Sequence, residues 1–254
     1  SLIMKKASYY LSAMLLVASF SQQPASAQFE GKITFNSYNY SSEGIEQKDD
    51  NFTLFITPDR ILLQGEKEYG FMESIQTEGV LVRLDFEDFV FLTGDNEALK
   101  ISKSDITSMM NMFGNGQNTT KTAEKAENVN YERTGESATI HGYKADKFIF
   151  RDDEEPNEHT EVWMTNQLDV NWGMLAESWS GSAENIISSL PTNLVFKEKY
   201  FPLKVEVFEN DRLVSRLETS EVNTSSIAKA MVQVPSGVKV LSFQDYLFQK
   251  MSQQ

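Results

Sequence analysis

The sequence predicts a mainly β domain: one curved, mostly antiparallel sheet of about nine to eleven strands, covered by three or four short helices. Two observations carry this expectation. Short runs with period-2 alternation recur along the chain, with turn signals about every eight to twelve residues. The period lengthens to that of a helix in only a few brief stretches.

Taken in order, Phe29, Gly31, Ile33 and Phe35 alternate with polar residues, as in a half-buried antiparallel strand. Ser41–Asp50 is polar and reads as a loop. Phe52, Leu54 and Ile56 alternate again, Pro58-Asp59 turns, and Arg60–Gln64 is the partner strand. Val80, Val82, Leu84 and Phe86 form one face of a further strand. Turns at Glu87-Asp88 and Gly94-Asp95-Asn96 then separate Phe89–Leu92 from Ala98–Ile101. Ile106, Met109, Met110 and Phe113 stand at i, i+3, i+4 and i+7, so a short helix is expected. Ser102 and Asp105 have the spacing of a capping box for it, and Gly114 ends it. Gly114–Asn128 lacks any large apolar residue and reads as a flexible loop at about 114–128.

The stretch Thr134–Val170 is the strongest in the chain. It is expected to form a hairpin of Ala138–Phe150 and His159–Thr165, joined by the acidic segment Asp152–Glu158. Trp172, Leu175, Ala176 and Trp179 again have helical spacing, and Ser182 caps a second short helix that Pro191 ends. Asn193–Tyr200 and Leu203–Phe208 read as strands; Glu209-Asn210-Asp211 turns into Arg212–Thr219. Val232–Val234 is extended, Pro235-Ser236-Gly237 turns, and Phe243, Tyr246, Leu247 and Met251 mark a terminal amphipathic helix.

The first residues have the form of a targeting segment. Lys5 and Lys6 precede the apolar run Ala7–Phe20, and Ala25-Ser26-Ala27 is an A-x-A cleavage site. A cleaved signal peptide over 1–27 is expected, with a single β-rich domain over 28–254 beginning at Gln28. The chain has no cysteine, which excludes a lipid-modified thiol, disulfides and thiolate metal sites. Lys5 and Lys6 leave with the signal, so the mature chain carries 21 basic against 37 acidic residues, a net charge near −16. That balance repels nucleic acid and anionic headgroups. No second apolar stretch approaches membrane length. The expected compartment is therefore periplasmic or secreted.

Candidate chemistry is sparse. His141 and His159 lie in the two arms of the expected hairpin, where Glu158 or Glu161 could complete a zinc site; half-exposed strand histidines are more often structural. Asp152, Asp153, Glu154, Glu155 and Glu158 offer hard oxygens to calcium but lack the spacing of a dedicated loop, so a solvated tip is the expected reading. No G-x-S-x-G or phosphate loop is present, and no carboxylate pair stands out. No enzyme activity, metal or cofactor is expected. The stripes of Met109, Met110 and Phe113 and of Trp172, Leu175 and Trp179 matter most. They serve either as ordinary core or as the lining of an apolar cavity under a helical lid.

The segments FEGKITF, SMMNMFG, IHGYKADKFIF, TEVWMTNQL and VPSGVKVLSFQDYL, in that order after a secretory leader, resemble a bacterial exported family described only as a domain of unknown function. That family looks related in fold to the periplasmic lipoprotein carriers and acceptors of the LolA/LolB type. The resemblance implies an open antiparallel half-barrel whose apolar concave face is plugged by helices and binds acyl chains. Where the family is expected to favour cysteine, this chain has Ala145. The expected function is a non-enzymatic binder of a hydrophobic small molecule, lipid or lipoprotein acyl chain, with Met109, Met110, Phe113, Trp172, Leu175 and Trp179 lining its cavity. The alternative is a structural or interaction domain of the envelope with a packed core and no ligand.

Overall fold

Twelve strands in one open sheet dominate the computed structural model, which describes residues 28–71, 75–113, 130–176, 194–195 and 198–252. Strands β1 (Gly31–Tyr40), β2 (Glu46–Ile56), β3 (Arg60–Phe71), β4 (Ile75–Arg83), β5 (Asp88–Leu92) and β6 (Glu97–Ser102) form a meander. Helix α1 (Lys103–Phe113) follows. Strands β7 (Asn130–Ile140), β8 (Tyr143–Arg151), β9 (Glu158–Thr165), β10 (Phe201–Glu209) and β11 (Arg212–Asn223) form a second meander. Strand β12 (Lys239–Ser242) runs directly into helix α2 (Phe243–Met251).

The spatial order is β12-β6-β5-β4-β3-β2-β1-β11-β10-β9-β8-β7. The two meanders are therefore joined by antiparallel pairing of β1 with β11, in which Ile33 faces Val222 and Ser37 faces Leu217. All ladders are antiparallel except the β12–β6 pair, where Lys239–Ser242 lies parallel to Glu97–Lys100. The sheet is curled. The tip of the β7–β8 hairpin reaches past β9 and β10, and His141 Nε2–H donates to the Thr219 carbonyl on β11 at 2.7 Å.

Alternation fixes which face each side chain takes. Ile33, Phe35, Phe52, Leu54, Ile56, Phe89, Phe91, Leu99, Ile101, Phe148, Val162, Met164, Leu203, Val205 and Leu217 share one inner core. Leu62, Leu81, Val90 and Ala98 point the other way and pack with Val232 under the segment between β11 and β12. Within that segment Lys229–Val232 forms a single 3-10 turn.

Several sequence expectations are corrected. Ala138–Phe150 is not one strand: His141 (φ 48°) and Gly142 (φ 83°) both take positive φ and turn β7 into β8. Strand β2 starts at Glu46, within the stretch read as loop, because its polar end pairs with Ser37–Tyr40. Leu194 and Val195, expected in a strand, occupy a buried helical turn, and Tyr200 N–H returns to the Leu194 carbonyl at 3.1 Å. Val232 ends a 3-10 turn rather than opening an extended segment. The helix expected after Val170 is, among the described residues, a 3-10 turn at Gly173–Ala176. The expected leader, the loop at 114–128 and the helix after Ser182 lie outside the described residues.

Candidate functional site

The inner face of the sheet is the one extended apolar surface that the described residues build, and the site is assembled on it. One row crosses six strands: Asp50, Ser37, Leu217, Val205, Val162 and Phe148 are successive cross-strand partners. All six are buried. The row is polar at the Asp50–Ser37 end and apolar from Leu217 onward. Ser37 Oγ is buried without a hydrogen-bond partner, an unusual state for a hydroxyl in a native core.

Short elements cover this face. Helix α1 begins with the expected capping box: Ser102 N–H donates to Asp105 Oδ2 at 2.9 Å, and Asp105 N–H to Ser102 Oγ at 3.1 Å. The cap turns the chain off the edge-side strand β6 and sends Ile106 onto the core. Leu168, Val170, Trp172, Met174 and Leu175 form a second patch over the face. Trp172 stacks on Phe201, with ring centroids 6.2 Å apart and 13° between planes. Helix α2 adds Phe243, Tyr246 and Leu247.

Of the six residues expected to line a cavity, Trp172 and Leu175 are buried together in the inner core, each 4% exposed. The side chains of Met109, Met110 and Phe113 and all of Trp179 lie outside the described residues. The space around Trp172, bounded by Leu168, Val170, Val195, Tyr200 and Phe201, is only about 10 Å³. That holds one water at most.

A polar cluster that the sequence reading missed pins the segment entering β10 to the β7–β8 hairpin. Tyr200 OH donates to Asp146 Oδ2 at 3.0 Å and Ser137 Oγ to Asp146 Oδ1 at 2.7 Å. The Ser137 hydrogen bond, with help from Tyr200, holds the Asp146 carboxyl below its ordinary value. Burial, then the bond to Asp146, pushes the Tyr200 phenol up. Arg133 pairs with Glu198 and lies over the Phe148 and Tyr200 rings at 5.4 and 5.8 Å. No short motif announces this cluster, because its members come from separate stretches of chain.

The histidines do not meet. His141 caps a carbonyl at the hairpin tip, while His159 stacks flat on Phe208 at 4.7 Å. In the acidic connection, the Asp152 carboxylate accepts Glu154 N–H at 2.9 Å, forming a local turn. Among the described residues, no three His, Cys, Asp or Glu side chains converge as a metal site. None of the described helices is long and apolar enough to cross a membrane.

Comparison with solved structures returns distant likenesses. PNGF-II is 18% identical with a TM-score of 0.45, and the match covers 88% of this chain. This chain spans a third, 33%, of the PNGF-II chain. MucB in complex with MucA(peri), from Pseudomonas aeruginosa, is 11% identical at a TM-score of 0.41, covering 92% of this chain and 62% of that one. A LolA superfamily protein from Nitrosomonas europaea is 7% identical at a TM-score of 0.31, covering 89% and 97%. No curated protein matches. A family model matches residues 85–238, more than half of the 254-residue chain, and the protein belongs to that family, the domain of unknown function DUF4412.

Proposed function

We propose that this is an exported, non-enzymatic protein that binds an apolar ligand, a lipid or lipoprotein acyl chain, on the inner face of its sheet. The observation that carries the reading is how that face is closed. An apolar surface spanning β1–β6 and β8–β11 is covered by short, separate elements instead of a second sheet. Short helices and turns can part at lower cost than a hydrogen-bonded layer, because each docks through only a few side chains. The non-enzymatic part rests on the shifted groups of the structure. Asp146, Lys147 and Arg133 owe the direction of their shifts to partners within the protein, and Tyr200 owes its own first to burial and then to Asp146, as in a structural network. The leader-like start of the sequence supports a periplasmic or secreted location.

A second reading, a packed interaction domain without ligand, is favoured by the 10 Å³ space beside Trp172, far below the roughly 300 Å³ of a small-ligand pocket. One experiment separates the two. Titration with a fluorescent apolar probe, with a fatty acid as competitor, is run on the unmutated protein and on Trp172→Ala. Saturable, competable binding that weakens in the variant supports the ligand reading. No saturable binding, together with a loss of about 3–5 kcal/mol of stability in the variant, leaves the packed core.

A further inference from the structure

A cleft of about 230 Å³ opens on the opposite side of the sheet, beside the segment that covers its outer face. Its walls come from four neighbouring strands and from the turn before β12: Gln64, Glu78, Asn96 and Glu97 supply polar groups, and Leu92, Pro235 and Val238 an apolar wall. Elsewhere this acidic chain pairs many of its charges: Arg83 with Asp88, Arg60 with Asp85, Lys147 with Glu136 and Glu161. Among the described residues, none of the four polar side chains of the cleft has a hydrogen-bond or ion-pair partner.

The backbone is shaped to keep the cleft open. Gly94 has φ +82°, and a Cβ there would lie 2.6 Å from Glu78 Oε1, so the glycine leaves room for that carboxylate. Asn96 also takes positive φ, and its carbonyl accepts Lys239 N–H at 2.8 Å, which fastens the cleft to β12. Thr77 Oγ1 donates to the Gly79 and Leu92 carbonyls at 2.7 and 2.9 Å and fixes the wall behind.

We propose that this cleft binds the side chain of an arginine or lysine presented by a partner peptide. The two carboxylates call for a cation, and the carboxamide oxygens of Gln64 and Asn96 accept its further N–H donors. The apolar wall suits the methylene stem that such a side chain carries behind its charge. At about 30 Å³ per water, the volume equals some eight waters, room for one such side chain but not for a folded segment. The net charge of −14 favours the approach of a basic partner.

The test uses acetyl-Ala-Arg-Ala-amide, its citrulline counterpart, which has the same shape without the charge, and n-butylammonium. The readout is the set of backbone amide signals of Leu92, Gly94, Asn96 and Val238 during titration. The arginine peptide should shift them saturably, with the citrulline peptide at least tenfold weaker. Glu78→Gln and Glu97→Gln should each weaken binding about fivefold; Glu78 is exposed and Glu97 half-buried, and the carboxamide keeps the size of either side chain, so the variants should keep the native spectrum elsewhere. Tighter binding of n-butylammonium than of the peptide would support the cation cleft and assign it to free amines. Equal binding of the arginine and citrulline peptides, absence of saturable shifts, or saturation by calcium alone would overturn the proposal. The cleft lies outside the inner face, so neither outcome bears on the lipid reading.

Discussion

The β3–β6 side of the sheet and its β7–β9 side are built from similar short strands, yet they are stabilised differently. Strand β5 is buried on both faces: Phe89 and Phe91 enter the inner core while Val90 packs beneath Val232. Strands β8 and β9 bury both faces only at one end, where Ala145, Met164 and Thr165 lie; along the rest of the pair only the inner face is fully buried. Their outer face carries Lys147 bonded to Glu136 and Glu161 at 3.2 and 3.0 Å, with the ammonium 5.8 Å from the Trp163 ring. Burial works against the Lys147 charge, and its two carboxylates outweigh it, so its pKa is raised. The difference is made by one piece of chain, the segment between β11 and β12, which covers β3–β6 and leaves β7–β9 to water. A strand covered twice must be apolar throughout; a strand covered once can spend alternate positions on charge.

Substitutions sharpen this contrast. The largest effect is expected at Phe148, fully buried and ringed by Tyr131 and Tyr200 at 6.2 and 5.1 Å. Phe148→Ala should cost about 3–5 kcal/mol in denaturant unfolding. Next is Arg83→Met, which strands the buried Asp88 carboxylate now held at 2.6 and 2.7 Å and should cost about 3 kcal/mol. Val232→Ala should cost about 2 kcal/mol. If the covering segment is the source of the difference, this loss should appear as faster amide exchange in β4 and β5, with β8 and β9 unchanged. An equal rise in both regions would break the comparison. Ser102→Ala removes the α1 cap and should cost about 1 kcal/mol. Lys147→Ala, on the solvated face, should cost about 0.5 kcal/mol.

Two titrations add pH dependence. Asp146 has a lowered pKa when folded, so its contribution is present above the unfolded value near 3.9 and disappears as pH falls through the folded value. Ser137→Ala should move that loss to higher pH in an acid unfolding series. Tyr40, pushed up to about 12 by burial and by its hydrogen bond to Glu46, stays neutral when folded. Its contribution is intact below pH 10 or so and is lost as pH rises toward 12. An ultraviolet phenolate titration should show Tyr40 and Tyr200 lagging behind the other tyrosines, and Glu46→Gln should shorten the Tyr40 lag alone.

Much of the sheet was legible in the sequence, for local reasons. Alternation located the strands, and Pro58-Asp59, Gly94-Asp95-Asn96 and Pro235-Ser236-Gly237 all mark real connections. Two turns with the same backbone show where legibility stops. Asn210 and Asp211, with φ of 51° and 59°, announce a tight hairpin by residue type. His141-Gly142 makes an equivalent turn inside an otherwise unbroken strand pattern, and histidine gave no signal there. The parallel β12–β6 pair, the outer-face cover and the Asp146–Tyr200 cluster were not legible, because each depends on contacts between distant stretches. For the candidate site, Trp172 and Leu175 are buried, but at a single 3-10 turn and not on one face of the helix that their spacing suggested. The narrow space beside Trp172 was not legible, since packing density is set by all the neighbours together.

The seam between β1 and β11 has a consequence for assembly. The first strand of the sheet pairs with a partner some 180 residues later, and β12 joins β6 about 140 residues after it was made. The centre of the sheet therefore cannot close until nearly the whole chain is available, and the edge at β6 is protected only by the final residues. Such long-range closure places refolding in the slow range for β proteins, milliseconds to seconds. Until then the apolar strands stay exposed to one another, so a chain truncated before Lys239 should aggregate rather than settle into a smaller sheet.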